Sequence, residues 1–230
     1  MRYSLMPSAQ TTPHYGVLLL VLLILFVVAP LLPAERVGYG VELLFDLVLV
    51  TGAYSAAWQS RHRLPFLVLT AVTLAMRWTD MALEHTAFSL ASNVLAFLWL
   101  VYAIGLIVTA LFRMEKVNTN AILGAIVAYV LTAVAFGMAF LLIELLQPSS
   151  FTGLPTGGVQ RELEHALLYF SYVSITTMGY GGILPVSALA RSMASIEGVF
   201  GTLYLAVMIA RLVGLQSGAK AGASPSSSDG

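Results

Sequence analysis

Thr176-Thr177-Met178-Gly179-Tyr180-Gly181 is the stretch of this 230-residue chain whose residue types could do chemistry. It offers a threonine hydroxyl and a run of backbone carbonyls, oxygens with which a protein can replace the water shell of a cation. Pointing successive carbonyls the same way forces alternate residues towards left-handed backbone angles, which only glycine adopts without steric cost. Gly179 and Gly181 stand at that alternation. Other chemistries have less to work with. There is no cysteine, which excludes disulfides and thiolate metal sites, and His14, His62, His85 and His165 show no metal-ligand spacing. Glu162 and Glu164 form a close pair, but nothing nucleophilic or metal-binding converges on them. They read as helix-start charges at a cation-attracting mouth. His165 reads as a solvated loop residue, with titration near neutral pH as the alternative. Neither enzymatic chemistry nor a cofactor is expected.

The elements that must hold this stretch are those of a membrane protein. The chain is 59% hydrophobic and only 10% charged, with a mean hydropathy of +0.88, whereas a soluble domain carries about 25% charged residues. Lys+Arg and Asp+Glu both number 11, so net charge favours no nucleic-acid or acidic partner. A span needs about 20 apolar residues. Runs of that kind are Gly16–Leu32, Val41–Trp58, Leu64–Trp78, Ser89–Phe112 and Ala121–Leu146 before the loop, and Ala188–Val213 after it. A cleaved leader is the alternative for the first run, and leaves the orientation downstream unchanged. Glu42, Asp46 and Arg77 fall in one outer half. They read either as an ion pair of Arg77 with Asp46 or Glu42, or as charges that each snorkel to the interface.

Residues 147–160 are rich in turn formers. A helix signal follows, with Glu162 and Glu164 in its first turn, and it becomes apolar through Leu167, Leu168, Tyr169, Phe170, Tyr172, Val173 and Ile175. This apolar part is too short to span. A short apolar helix leading into a Gly-rich loop is the re-entrant pattern, tolerated where protein shields it or water lines it. The short polar link from Arg113 to Asn120 favours a first bundle packed against its own chain's later helices. Residues 217–230, rich in Gly, Ala and Ser, read as a disordered tail with no room for a soluble ligand-binding domain. With the amino terminus inside, Arg2, Arg61, Arg63, Arg113, Lys116, Arg211 and Lys220 lie inside, against Arg36, Arg77, Arg161 and Arg191 outside. Both termini are therefore expected in the cytoplasm of a cell-membrane protein, with the loop at the outer face.

Thr177-Met178-Gly179-Tyr180-Gly181 resembles the Thr-Val-Gly-Tyr-Gly selectivity filter of potassium channels. The resemblance covers about Ala121 to Gly214. It includes Thr176, the short apolar helix upstream, Pro185 after the loop, Arg191 opening the last helix, and Gly201, where the inner helix of such channels often bends. The first four runs match only in number and length. The resemblance implies an all-α membrane protein with six transmembrane helices, and a re-entrant pore helix and filter loop between the fifth and sixth. Four copies would surround one pore as a homotetramer in the bilayer. Residues 1–117 would form a voltage-sensor-like bundle, 118–216 the pore domain and 217–230 the tail. K+ would bind at Thr177, Met178, Gly179, Tyr180 and Gly181, with the Met178 side chain facing away from the axis. Tyr180 would form an aromatic cuff with Tyr169 and Phe170, and the pore helix would aim its negative end at the cavity. The fourth run has no charge before Arg113, where voltage-gated relatives carry arginines every third residue. Voltage gating through that helix is not expected.

Two positions depart from the family pattern. Gly182 stands where an aspartate usually braces the filter from behind, and Val173 stands where some relatives carry a pore-helix glutamate. Glu197 is the candidate for a buried carboxylate behind the filter, or else a local hydrogen-bond anchor against a neighbouring helix. Gly201 reads equally as a hinge and as a small residue that permits close packing. The function expected is passive potassium-selective conduction. The alternatives are a weakly selective cation channel, a potassium-transport subunit and a non-conducting channel subunit.

Overall fold

The computed structural model describes residues 15–28, 45–52, 63–83, 86–114, 117–155 and 160–221. Across them the chain is mostly helical: α1 (Tyr15–Val28), α2 (residues 45–52), α3 (Arg63–Leu83), α4 (Thr86–Arg113), α5 (Thr119–Leu146), α6 (Gln160–Ile175) and α7 (Ala188–Ala221). Two short strands, β1 (Phe151–Thr152) and β2 (Leu184–Pro185), flank α6. The later helices have identifiable starts and stops. The Asn118 side chain accepts the Ala121 N–H at 2.8 Å and opens α5, and Ser187 does the same for Ala190 at the start of α7, at 3.2 Å. The Gln147 N–H closes α5 on Ile143 O, and Pro148 follows.

Among the described residues, three helices are long and apolar enough to cross a membrane: Ser89–Arg113, Thr119–Leu146 and Ala188–Ser217. They are the fourth, fifth and last of the apolar runs. Tyr15–Ile24 and Leu64–Thr79 are shorter apolar helices. Most of the second run, with Glu42, lies outside the described residues, as do residues 1–14, 156–159 and 222–230. One boundary is corrected: α7 runs on to Ala221, so residues 217–221 belong to the helix and not to a tail. Ala219, Lys220 and Ala221 are good helix formers, and extending an existing helix costs far less than nucleating one.

α5 is the buried axis of the chain, packed on by α1, α4, α6 and α7. Small residues let these neighbours close in. A Cβ on Gly124 would come 3.0 Å from the Tyr15 ring of α1, and one on Gly137 would come 3.0 Å from the Leu168 Cα of α6. The first bundle shares a core in which Leu18, Leu49, Phe66, Trp99, Ile107 and Leu131 are fully buried. Trp99 satisfies its ring N–H on Thr70 Oγ1 at 2.8 Å and stacks on Phe66 at 5.3 Å. In the same bundle Arg77 Nε lies 3.2 Å from Asp46 Oδ1, with its guanidinium 4.4 Å from the Phe45 ring centre. The paired reading therefore holds for Asp46. By contrast, α7 leaves Ile196, Val199, Leu203 and Ile209 exposed on the single chain.

Candidate functional site

α6 presents the loop of interest, and its position is set from both sides. Its 16 residues make a rod of about 24 Å, short of the roughly 30 Å hydrocarbon core. Glu162 lies in its first turn. Phe170 meets Phe140 of α5 edge-on at 5.1 Å and Phe151 of β1 at 5.4 Å, and Leu167 is fully buried beside them. The rings that pack on Phe170 are thus those of α5 and of the turret, the loop of residues 147–155 that follows it. Tyr169 and Tyr180 are exposed, and no ring contact joins the three within one chain. The aromatic cuff expected of Tyr180, Tyr169 and Phe170 is not formed inside a protomer, because Phe170 is spent on anchoring α6.

Past Ile175 the chain folds back on the end of α6. The Thr176 N–H and Oγ1 both donate to Tyr172 O, at 3.3 and 2.6 Å, and the Thr177 N–H donates to Ser174 O at 2.9 Å. The Met178 and Gly179 N–H groups converge on Val173 O at 2.9 and 3.3 Å. Val173 is buried and serves through its carbonyl. Beyond this anchor, φ is positive at Thr177 (60°), Gly179 (59°) and Gly181 (79°), and not at Met178 or Tyr180. Alternating the sign of φ in an extended segment turns successive carbonyls to one side. Thr177 occupies the left-handed region without being glycine, at a cost of about 1–3 kcal/mol that its surroundings must hold in place. All six residues from Thr176 to Gly181 are exposed on the single chain.

The segment after the loop is fastened to the turret. β1 pairs antiparallel with β2, Phe151 opposite Pro185 and Thr152 opposite Leu184. Ser150 O accepts the Val186 and Ser187 N–H groups at 2.8 and 3.2 Å. The turret is folded around Glu144, whose carboxylate accepts the N–H groups of Ser149, Ser150 and Phe151 at 2.8, 2.9 and 3.2 Å. Gly182 is exposed, and its carbonyl lies against Gly153 so closely that a Cβ there would overlap it. A Cβ on Gly182 itself would meet nothing within 4 Å. Arg191 Nε donates to Pro185 O at 3.2 Å.

Behind α6, Glu197 of α7 is fully buried and joined by a short hydrogen bond to the Ser171 hydroxyl, which also lies 2.6 Å from Ala133 O of α5. Glu197 Oε2 has no hydrogen-bond partner among the described residues. The carboxylate thus faces α6 of its own chain. Gly201, one turn further on, is needed by a close approach: a Cβ there would lie 2.6 Å from Ile175 O.

Residues 158–215, about a quarter of the chain, match the sequence model of a family described as "Ion channel". The match supports an ion-channel function. No curated protein and no solved structure matches the chain. The matched stretch holds α6, the 176–181 loop, β2 and most of α7. Sequence reasoning missed Tyr129, whose hydroxyl donates to Ile175 O at 2.9 Å, and Glu144. Arg211, read from the sequence only as a charge on the inner side and an ordinary anchor, reaches with its Nη2 the carbonyls of Leu111, Phe112 and Met114 at 3.1, 2.6 and 3.1 Å. Only Glu144 carried a signal, as a carboxylate near the end of an apolar run.

Proposed function

We propose that this chain is a potassium-selective channel subunit in the cell membrane, assembling as a homotetramer with residues 118–216 as the pore domain. Each chain contributes α6 as a re-entrant pore helix and Thr177 to Gly181 as its quarter of the filter. K+ passes through rings of carbonyls from Thr177, Met178, Gly179 and Tyr180, with the Thr177 hydroxyl at the inner end. The observation that carries this reading is the alternation of positive φ at Thr177, Gly179 and Gly181 in a segment exposed on the single chain. Those carbonyls find their complement only in other copies around an axis. The exposed apolar face of α7 is then covered by neighbouring copies and lipid. The first bundle rests on α5 of its own chain, an unswapped arrangement supported by the packing of α1 and α4 along α5. Conduction is passive and is not gated by movement of α4.

The test is potassium flux into liposomes holding the purified protein, with barium as blocker. Barium-sensitive flux driven by a potassium gradient is expected, and no flux across a range of pH and voltage would refute the reading in favour of a non-conducting subunit. Single-channel steps in a planar bilayer would separate a pore from a carrier. A second reading, a weakly selective cation channel, is favoured by Gly182, which places no carboxylate behind the loop. Reversal potentials in potassium–sodium gradients distinguish the two: a shift that follows the potassium gradient supports selectivity, and one near zero supports the rival.

A further inference from the structure

We propose that Tyr129 of α5 is a positioning residue for the inner end of the 176–181 loop, acting through the last carbonyl of α6. The inference rests on the channel reading above and names the residue that holds its filter in register.

The last four carbonyls of a helix have no partner within it. In α6, three of them are met locally. Tyr172 O takes Thr176, Val173 O takes Met178 and Gly179, and Ser174 O takes Thr177. Ile175 O is met by Tyr129 Oη, 2.9 Å away and 46 residues earlier in the chain. The local bonds move with α6 wherever it goes. The Tyr129 bond alone among these ties α6's end to another helix. On the α7 side the same carbonyl has no freedom either, since only Gly201, lacking a Cβ, leaves room for it. Ile175 is fully buried between them.

Tyr129 is itself prevented from swinging. Its ring lies 5.7 Å from that of Tyr204, which stacks on Phe200 at 6.1 Å and donates its own hydroxyl to Ala125 O at 2.8 Å. A rigid donor on α5 therefore fixes the direction of the Ile175 carbonyl, and the Ile175–Thr176 peptide plane with it. Two residues on stands Thr177, the first of the three positive-φ positions and the one that is not glycine. A strained conformation persists only when its surroundings determine it. The Tyr129–Ile175–Gly201 contact is a tertiary constraint two residues before it.

The test is Tyr129→Phe, which keeps the ring and its packing, with Tyr204→Phe as the control. The control removes the same kind of tyrosine–carbonyl bond, from α7 to α5, without touching α6. In liposomes, Tyr129→Phe should lower the potassium-over-sodium permeability ratio by about fivefold, the scale of one hydrogen bond, while Tyr204→Phe leaves it as in the wild type. Amide hydrogen exchange on the peptide covering 172–181 should speed up by a similar factor in Tyr129→Phe only. Equal effects of the two variants, or no change in ratio and exchange for Tyr129→Phe, would overturn the inference, as would loss of the assembled protein in Tyr129→Phe. If the wild type carries no potassium-selective flux, the channel reading falls, and the exchange measurement still decides whether Tyr129 holds the loop.

Discussion

A single methyl group distinguishes the glycines of α7. At Gly201 a Cβ would come within 2.6 Å of Ile175 O, whereas at Gly198 it would meet nothing within 4 Å. Gly201→Ala should therefore destabilise the protein by about 1–3 kcal/mol through overpacking. Gly198→Ala should stabilise it by up to about 1 kcal/mol through helix propensity. Thermal unfolding of the two variants in detergent checks this, and a Gly201→Ala protein as stable as wild type would remove the close approach as an explanation of that glycine. Gly182→Asp places its side chain in open space and should fold normally, which makes it a direct assay of what a carboxylate at that position does to selectivity. At this scale the sequence was legible where residue type itself states a backbone need, as at Gly179 and Gly181. It was not legible at Thr177, which is left-handed where the chain caps α6 through the Thr177 and Met178 N–H groups, a place glycine usually takes. Nor was it at Tyr129, since a tyrosine in an apolar span looks like any other core aromatic.

Between α5 and α7 the unit that matters is the turret with its two-residue strands. A Glu144 carboxylate that accepts three consecutive N–H groups organises it, and Ser150 O hands the order on to Val186 and Ser187. Hydrogen bonds to a charged acceptor contribute about 1.5–3 kcal/mol each at most, and the rest of the loop is held by the β1–β2 pair, Ser150 and Phe151. Glu144→Ala should therefore loosen the turret without unfolding the helices. Limited proteolysis cutting faster between residues 149 and 153, with helix content unchanged by circular dichroism, is the expected outcome. Cleavage at the wild-type rate would show that the Phe151 cluster suffices. The helical elements were readable from apolar run length and first-turn acids, and α6 from its shortness. The β1–β2 ladder was not, because two residues per strand are too few to show a period of two. The packing of Phe170 within its own chain was not readable for a related reason. Its side of α6 depends on Phe140 and Phe151, which come from segments far apart in sequence.

For the whole molecule, the question is what the first bundle contributes if it cannot sense voltage. α4 is fastened to α7 at one end and to α6 at the other. Arg211 of α7 caps its final carbonyls and lies 4.9 Å from the Phe112 ring. At the other end, Gln160 of α6 donates to Ser89 Oγ at 2.8 Å and to Glu164 at 3.2 Å. Between these ties, from Ser89 to Phe112, the helix carries no charge. The charged side chain found within the neighbouring span, Arg77, is matched by Asp46, so a shift of that pair together moves no net charge. Moving one elementary charge through the field is worth about 2.3 kcal/mol per 100 mV, or a fiftyfold change in the ratio of open to closed states. The open probability of the reconstituted channel should therefore vary far less than this over a similar range of potential. Steady-state recordings in a planar bilayer at symmetric potassium measure it directly. A slope equivalent to several charges would mean that the bundle moves against the pore despite both ties, and that charges outside α4 do the sensing. A flat relation would assign the bundle the part its contacts describe, a brace that holds α5 and the carboxyl-terminal half of α7 in fixed relation.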